Sequence, residues 1–450
     1  MPSLALSMIV CNAAATLADC LESVRGVVDE MVIADTGSTD ATESVALRYG
    51  ARILSIPWEQ DFAAARNKAL AQVKSDWVLV LDADEMLEVS AGDSIRSLLR
   101  DGVGGYHVSI RNYVRSLHER VWDRAAQPNT SGPPQARQYP AYVEHENVRL
   151  FRCHPEIYFV GRVHETVGPK VLACGFRLER ANFVIHHFGL MADPEIRQRK
   201  SHLYRELGRA KVREMPEDAQ AHFELGLEEF NSFKDYEAAL ACFKRARELN
   251  PHVSIAWLFS GLALLRLGRS AEALRCLEQA QKIGPQTALI SEAMGDAYYN
   301  LGDFESARRA YRRALQQVGS SAYLQSKMGL VEFRLGRVAL GLAAMKDAVT
   351  QEPYAGELYD RLMAVYALSG NLREAAETAE AKLHAVEPEP ASYMRAASIR
   401  AQLQDWSRAL TLLREGVRQF PDAQKLRQAL AEIEGMAGQL QQARCQAHKP

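Results

Sequence analysis

Trp77-Val78-Leu79-Val80-Leu81-Asp82-Ala83-Asp84-Glu85 is the stretch that decides the fold of the first half of this chain. Val78 to Leu81 is an unbroken apolar run rich in β-branching, as in a strand buried on both faces of a parallel sheet flanked by helices. It ends abruptly at carboxylates. Asp82 and Asp84 emerge at the carboxyl end of the strand, the edge at which open α/β sheets bind ligands. Two acidic residues separated by one can hold a hard divalent cation through oxygen. In isolation such a pair reads as a solvated acidic turn, so its meaning depends on what the neighbouring strands bring to the same edge.

Upstream, strand and helix alternate. Leu6 to Val10 reads as a strand closed by Cys11-Asn12. Thr16 to Val24 then takes up helical spacing, with Leu17, Cys20, Leu21 and Val24 apolar. Val27 to Ala34 is a second strand running into Asp35-Thr36-Gly37-Ser38-Thr39-Asp40, a turn of small polar residues that offers caps to a helix from Ala41 to Tyr49. Arg52 to Ile56 is a short third strand, and Asp61 opens a helix that carries Arg66 in its first turns. The pattern predicts a mostly parallel, doubly wound sheet. Asn12, Asp35 and the Asp82/Asp84 pair then converge on one crevice. No glycine-rich phosphate loop is present, so carboxylates holding a metal are a sufficient alternative for handling phosphates.

The bulk composition fits this reading. At 450 residues the chain has room for two or three domains. Its 54 basic and 56 acidic residues nearly balance, so nucleic acid is not the expected partner. The seven cysteines are scattered, without Cys-x-x-Cys spacing, which predicts reduced thiols rather than a zinc site or disulfide framework. Leu4 to Val10 lacks a basic leader and is too short to span a bilayer; no transmembrane segment and a cytoplasmic location are expected.

Taken together, Met8-Ile9-Val10-Cys11-Asn12, Asp35 to Asp40, Asp61-Phe62-Ala63-Ala64-Ala65-Arg66-Asn67 and Leu81-Asp82-Ala83-Asp84-Glu85 resemble the ordered motifs of family 2 glycosyltransferases, in the branch that often carries tetratricopeptide repeats. Four motifs in order over about ninety residues are far more specific than any one alone. The resemblance implies an A-type nucleotide-sugar fold, with Asp35 near the base, Arg66 near the nucleotide and Asp82/Asp84 as the metal-binding pair for Mn²⁺ or Mg²⁺. Asn12 joins the nucleotide-sugar residues. Asp84 is the stronger candidate for direct metal contact, and Asp82 for ribose contact or for orienting the ion. One departure stands out: Cys11-Asn12-Ala13 replaces the usual Lys-Asn-Glu, removing a carboxylate from the nucleotide cleft.

Further on, Gly105 to Tyr113 and Glu146 to Phe151 read as strands, separated by Arg115 to Tyr142, a long stretch without sustained period that reads equally as a lid or a surface loop. Gly161-Arg162-Val163-His164-Glu165 resembles the His-Glu motif of the same branch. Inverting displacement at an anomeric carbon needs a base for the acceptor proton, and Glu165 or His164 can serve. Ile185-His186-His187-Phe188-Gly189 resembles the branch's His-x-Gly motif, with Leu190 where an aromatic is usual. It makes His187 a candidate further metal ligand, against the plainer reading of His186 and His187 as a hydrogen-bonded pair at a domain edge.

From about Asp193 amphipathic helices replace strands. Gly268, Gly302, Gly336 and Gly370 recur every thirty-four residues, as do Gly261, Gly295 and Gly329, while Pro251 and Pro285 show the same interval and Pro353 lies two intervals on. Glycine ending one helix and proline following the next resembles the tetratricopeptide repeat, with about five or six units from Ala219 to Pro421. Such a solenoid presents a concave face whose usual occupant is protein or peptide.

The sequence therefore predicts an α/β nucleotide-sugar-binding domain followed by an all-α solenoid. The expected boundaries are a transferase domain over 1–192, with an irregular insertion at 115–142, a linker helix over 193–218, repeats over 219–440 and a tail over 441–450. The expected activity is metal-dependent, inverting transfer of a sugar from a nucleoside-diphosphate sugar to an acceptor, with a protein or peptide on the repeats as the candidate acceptor. The alternatives are a non-catalytic adaptor with a decayed transferase domain, and a transferase for glycan or lipid-linked acceptors whose repeats serve a homo-oligomer.

Overall fold

The computed structural model describes residues 2–447 apart from 89, 116–119, 122–123, 131 and 190–193. The chain forms two compact units, Met1–Pro251 and His252–Pro450. Leu190, and with it the departure from the His-x-Gly pattern, falls outside the described residues.

In the first unit, β1 (Leu4–Val10), α1 (Leu17–Ser23), β2 (Glu30–Asp35), α2 (Thr42–Arg48), β3 (Arg52–Ser55), α3 (Phe62–Leu70) and β4 (Trp77–Val80) follow the alternation read from the sequence. These strands are parallel in the order β3-β2-β1-β4. Both faces are covered, which is why β4 is apolar throughout. Leu79 and Leu81 join α1 and a helix α4 (Ala91–Leu98) in one core. Val78 and Val80 pack with Ala63 and Leu70 of α3 in another.

Beyond β4 the sheet becomes mixed. A short β5 (Glu85–Leu87) and α4 lead into the long β6 (Val103–Val114). The insertion read as irregular carries a two-residue hairpin, β7 (Arg120–Val121) with β8 (Arg124–Ala125), and β9 (Gln127–Pro128), which pairs with β10 (Ala141–Arg152). After α5 (Gly168–Ala173), β11 (Arg177–His187) completes the order β3-β2-β1-β4-β10-β6-β11-β5. β10 is antiparallel to both β4 and β6, whereas β11 is parallel to β6 and antiparallel to β5.

Three helices close this unit: α6 (Pro194–Glu214), α7 (Ala219–Glu228, extended by a π-turn over Glu229–Phe233) and α8 (Tyr236–Leu249). Helix α6 is bolted to the sheet domain. Lys211 donates to Val163 O at 3.1 Å and to Glu224 at 2.7 Å, while Arg162 pairs with Glu214.

The second unit stacks antiparallel helix pairs α9 (Ser254–Arg266) with α10 (Ser270–Ile283), α11 (Ala288–Asn300) with α12 (Phe304–Val318), α13 (Ala322–Arg334) with α14 (Val338–Gln351), α15 (Gly356–Leu368) with α16 (Leu372–Ala385) and α17 (Pro390–Gln402) with α18 (Trp406–Gln419), followed by α19 (Gln424–Ala447). Gly268 and the glycines in step with it adopt positive φ where the first helix of each pair ends. Gly261, Gly295 and Gly329 serve another purpose: a methyl group there would strike Leu277, Tyr311 and the Gly341 carbonyl of the facing helix. No helix among the described residues is long and apolar enough to cross a membrane.

Candidate active site

Helix α3 supplies the centre of the site. Its first residue is set by Asp61, whose carboxylate accepts from the Ala64 amide at 2.8 Å as an N-cap. One turn later Arg66, almost fully buried, reaches two carboxylates at once: its Nε donates to Glu165 Oε1 and its Nη2 to Asp82 Oδ1, each at 2.6 Å. Asn67 clamps the segment leading to Glu165, donating to Phe159 O at 2.9 Å and accepting from Phe159 N at 2.8 Å. The Asp61-to-Asn67 motif thus combines a cap, a bridge and a clamp.

A second arginine completes the bridge. Leu150 pairs with Leu79, so Arg149 falls level with the end of β4. Its Nη2 reaches Asp82 Oδ2 at 3.2 Å and the buried Glu85 Oε1 at 2.8 Å. Burial resists ionisation of Asp82, but Arg66 and then Arg149 outweigh it and hold that carboxyl far below the ordinary range. Burial pushes Glu85 up, and the Asp82 charge adds to the push. Both Asp82 oxygens are engaged by guanidinium groups, which leaves this residue as the anchor of the cluster rather than its open ligand.

Asp84 is the open one. Its Oδ2 lies 3.5 Å from His187 Nε2, a separation at which two donors can share one cation. Register places His187 level with Glu85 of β5 and Asn112 of β6. His187 Nδ1 lies 2.6 Å from Asn112 Oδ1, while the Asn112 amide nitrogen faces Val143 O at 3.1 Å and His145 Nδ1 at 2.8 Å. Asn112 Oδ1 therefore accepts a hydrogen bond from the Nδ1–H of His187, which turns Nε2 toward Asp84. Burial disfavours the charged imidazole, but Asp84 more than compensates and raises the His187 pKa; His187 in turn lowers Asp84 against its own burial. A methyl group on Gly189 would come within 2.5 Å of both Asp84 Oδ2 and His187 Nε2, so glycine keeps the space beside them open.

Among the described residues no group of three or more His, Cys, Asp or Glu has metal-binding geometry. Asp84 and His187 would supply two donors, which fits an ion whose remaining ligands are water and phosphate, as magnesium and manganese sites at nucleotides commonly are.

The other predicted residues sit apart from this cluster. Val10 pairs with Asp35 across β1 and β2. Asp35 accepts from Gly37 and Ser38 amides, and Asn12, at φ 50°, accepts from the Thr39 amide. Both shape the turn at the same carboxyl edge without touching the arginine network. His164 takes a left-handed φ of 53°, is exposed, and lies 5.8 Å from the Tyr204 ring. His186 does not pair with His187: alternation turns it into the core, 2.8 Å from the Tyr113 hydroxyl, where burial and then Arg111 lower its pKa to about 4. Sequence reading missed Arg149, Asn112 and Glu85 as site residues. The available signal was an arginine and an asparagine inside strands otherwise read as core.

Residues 6–156 match the glycosyl transferase family 2 model, and residues 233–288 and 292–356 match a tetratricopeptide repeat. The first half of the chain is thus similar to family 2 glycosyl transferases and the second half to tetratricopeptide repeats. A TPR repeat-containing protein of Synechococcus elongatus is 33% identical over 234 residues, which are 50% of this chain and 52% of the relative. An uncharacterized glycosyltransferase of Rickettsia felis is 34% identical over 95 residues, 21% of this chain and 33% of the relative. The prophage-derived glycosyltransferase SunS of Bacillus subtilis is 25% identical over 172 residues, 36% and 34% of the two chains. The chain thus spans about half the length of the first relative and about a third of the others. Among solved structures, a tetratricopeptide repeat protein from Parabacteroides merdae aligns with TM-score 0.43 at 15% identity, over 53% of this chain and 94% of that one. The cluster therefore reaches beyond the transferase match, since Glu165, held by Arg66, and His187, facing Asp84, both follow residue 156.

Proposed function

We propose that the first unit transfers a sugar, with inversion, from a nucleoside-diphosphate donor to an acceptor presented by the repeats. The observation that carries the reading is the Asp84–His187 pair, opened by Gly189 at the carboxyl edge of β4. Asp84 and His187 would hold Mn²⁺ or Mg²⁺, which when bound neutralises charge on the departing diphosphate. Asp82 stays ionised between its two arginines and fixes the turn that carries Asp84. Glu165 takes the acceptor proton through Oε2, which has no hydrogen-bond partner among the described residues, while Arg66 holds Oε1. Asp35 and Asn12 shape the turn at the base-binding end.

The attached solenoid supports a polypeptide acceptor, since repeats of this kind suit protein ligands. The adaptor reading rests on Ala13, where a carboxylate would be usual. Titrating Mn²⁺ into the wild type and following donor hydrolysis and transfer tests both. Asp84→Ala is expected to lower the metal-stimulated rate at least about a hundredfold, the scale on which loss of a charge-stabilising group acts. Unchanged activity in that variant would sink the metal role, and a wild type that neither turns over nor binds any nucleotide would favour the adaptor.

A further inference from the structure

The carboxylates at the β4 edge already have partners. Arg66 holds Glu165 and Asp82, Arg149 holds Asp82 and Glu85, and His187 faces Asp84. Both guanidinium groups are buried and locked between two anions, so neither is free to follow an incoming phosphate. A diphosphate approaching this acidic edge needs positive charge that can move onto it.

Helix α6 presents one. Lys200, Tyr204, Leu207 and Lys211 recur at helical spacing and share a face. The lower end of that face is fixed, because Leu207 is buried and Lys211 donates to the Val163 carbonyl, two residues before Glu165. The Tyr204 ring packs edge-on at 5.8 Å against Phe62, in the first turn of the helix that carries Arg66, and lies at the same distance from His164. Lys200 Nζ then stands 5.5 Å from the centroid of the Tyr204 ring. Its side chain is exposed, and no carboxylate of the described residues lies within ion-pair distance. The ammonium is nevertheless held protonated above its ordinary range, by Tyr204 first and, against desolvation, by Asp84 and Asp82. Lys200 is thus a long cation beside the Tyr204 side chain and in the field of the Asp82/Asp84 turn, with no carboxylate ion pair among the described residues.

We propose that Lys200, which lies outside the residues matched to the transferase family, contacts the donor's β-phosphate and stabilises the charge left on the diphosphate, and that Tyr204 is its positioning residue. This rests on the nucleoside-diphosphate reading above. As the bond from the anomeric carbon to the phosphate oxygen breaks, its electron pair passes to that oxygen. The acceptor's heavy atom bonds to the carbon, and the acceptor's proton passes to Glu165. Lys200 stays protonated throughout, and its gain lies in charge that develops only as the bond breaks.

The test is calorimetry on the full chain with Mn²⁺, using UDP, GDP and dTDP, each against its monophosphate. For the nucleotide that binds the wild type, Lys200→Ala is expected to weaken the diphosphate about tenfold or more, the worth of a charge-assisted hydrogen bond, and to leave the monophosphate unchanged. Lys200→Arg should retain most of the affinity, and Tyr204→Phe should fall between. Melting temperatures should not move for the Lys200 variants, because the side chain is exposed. If the wild type binds none of the diphosphates, the donor reading fails and takes this inference with it. If the wild type binds and Lys200→Ala binds equally well, or loses mono- and diphosphate alike, Lys200 does not contact the β-phosphate and only this inference falls.

Discussion

Arg66 illustrates how far one side chain can organise a site. It joins Asp82 to Glu165, the latter 99 positions away from Arg66 in sequence, and its remaining Nη1 is buried without a hydrogen-bond partner among the described residues. Such a bridge is stable because each buried charge has an opposite one in contact, and removing the middle member leaves two carboxylates facing each other. Arg66→Ala is expected to destabilise the first unit by about 3 kcal/mol in urea unfolding, and Arg66→Lys by less, since an ammonium cannot make both contacts in one plane. The sign with pH follows from Asp82, whose native pKa is depressed by the two arginines. That stabilisation is present above the unfolded carboxyl value and is lost as pH falls below it. The gap between wild type and Arg66→Ala should therefore narrow below about pH 4. A gap that stays constant down to pH 3 would show that the bridge contributes nothing electrostatic. At this scale the chemistry-bearing residues were legible as types and positions, but their partners were not. Asp61, Arg66 and Asn67 read as one motif, yet two of them act on residues more than ninety positions away. Register between β10 and β4, which brings Arg149 to Asp82, depends on a strand pairing that no local pattern specifies.

At the scale of elements, periodicity carried most of the reading. Two-sided burial made β4 uniformly apolar, and the thirty-four-residue interval marked the repeats. What local chemistry concealed was the mixed half of the sheet and the ends of the solenoid. Lys234, at φ 56°, and Gln404, at φ 59°, lie one interval before Gly268 and one after Gly370. They occupy the same helix-ending left-handed position, so the repeat phase runs further than its glycines. A side chain costs roughly 1 kcal/mol in that conformation, where glycine costs little. Lys234→Gly and Gln404→Gly are each expected to stabilise the protein by about 0.5–1 kcal/mol in thermal or urea unfolding, with no change in nucleotide affinity. Ser398→Gly, at an exposed position inside α17, should instead destabilise by about 0.5 kcal/mol. Destabilisation at Lys234 or Gln404 would mean that their side chains make contacts worth more than the backbone relief.

For the whole molecule, the question is where the sheet-bearing body ends. The change from strand to helix patterning places a break near residue 192, but the compact unit runs to Pro251. The reason is local to α6. Lys211 is buried beneath the loop that carries Glu165, with Val163 O on one side and Glu224 of α7 on the other, and Arg162 reaches back to Glu214. Arg205 and Arg209 both pair with Glu229, which is buried, so α6 and the end of α7 form one ionic block against that loop. A chain stopped at residue 192 would leave the Val163 carbonyl and the Arg162 guanidinium without these partners, on the loop that carries Glu165. A chain stopped at Pro251 would keep them all. Loss of a few buried polar contacts in a body of this size corresponds to a melting temperature about 5–10 °C lower for the shorter fragment. Calorimetry of the two fragments checks this, with the tryptophan fluorescence they share from Trp58, Trp77 and Trp122 as a second reading. Equal melting temperatures would place the end of the sheet-bearing body before α6, and would leave the helix that presents Lys200 as an accessory to the sheet rather than part of its fold.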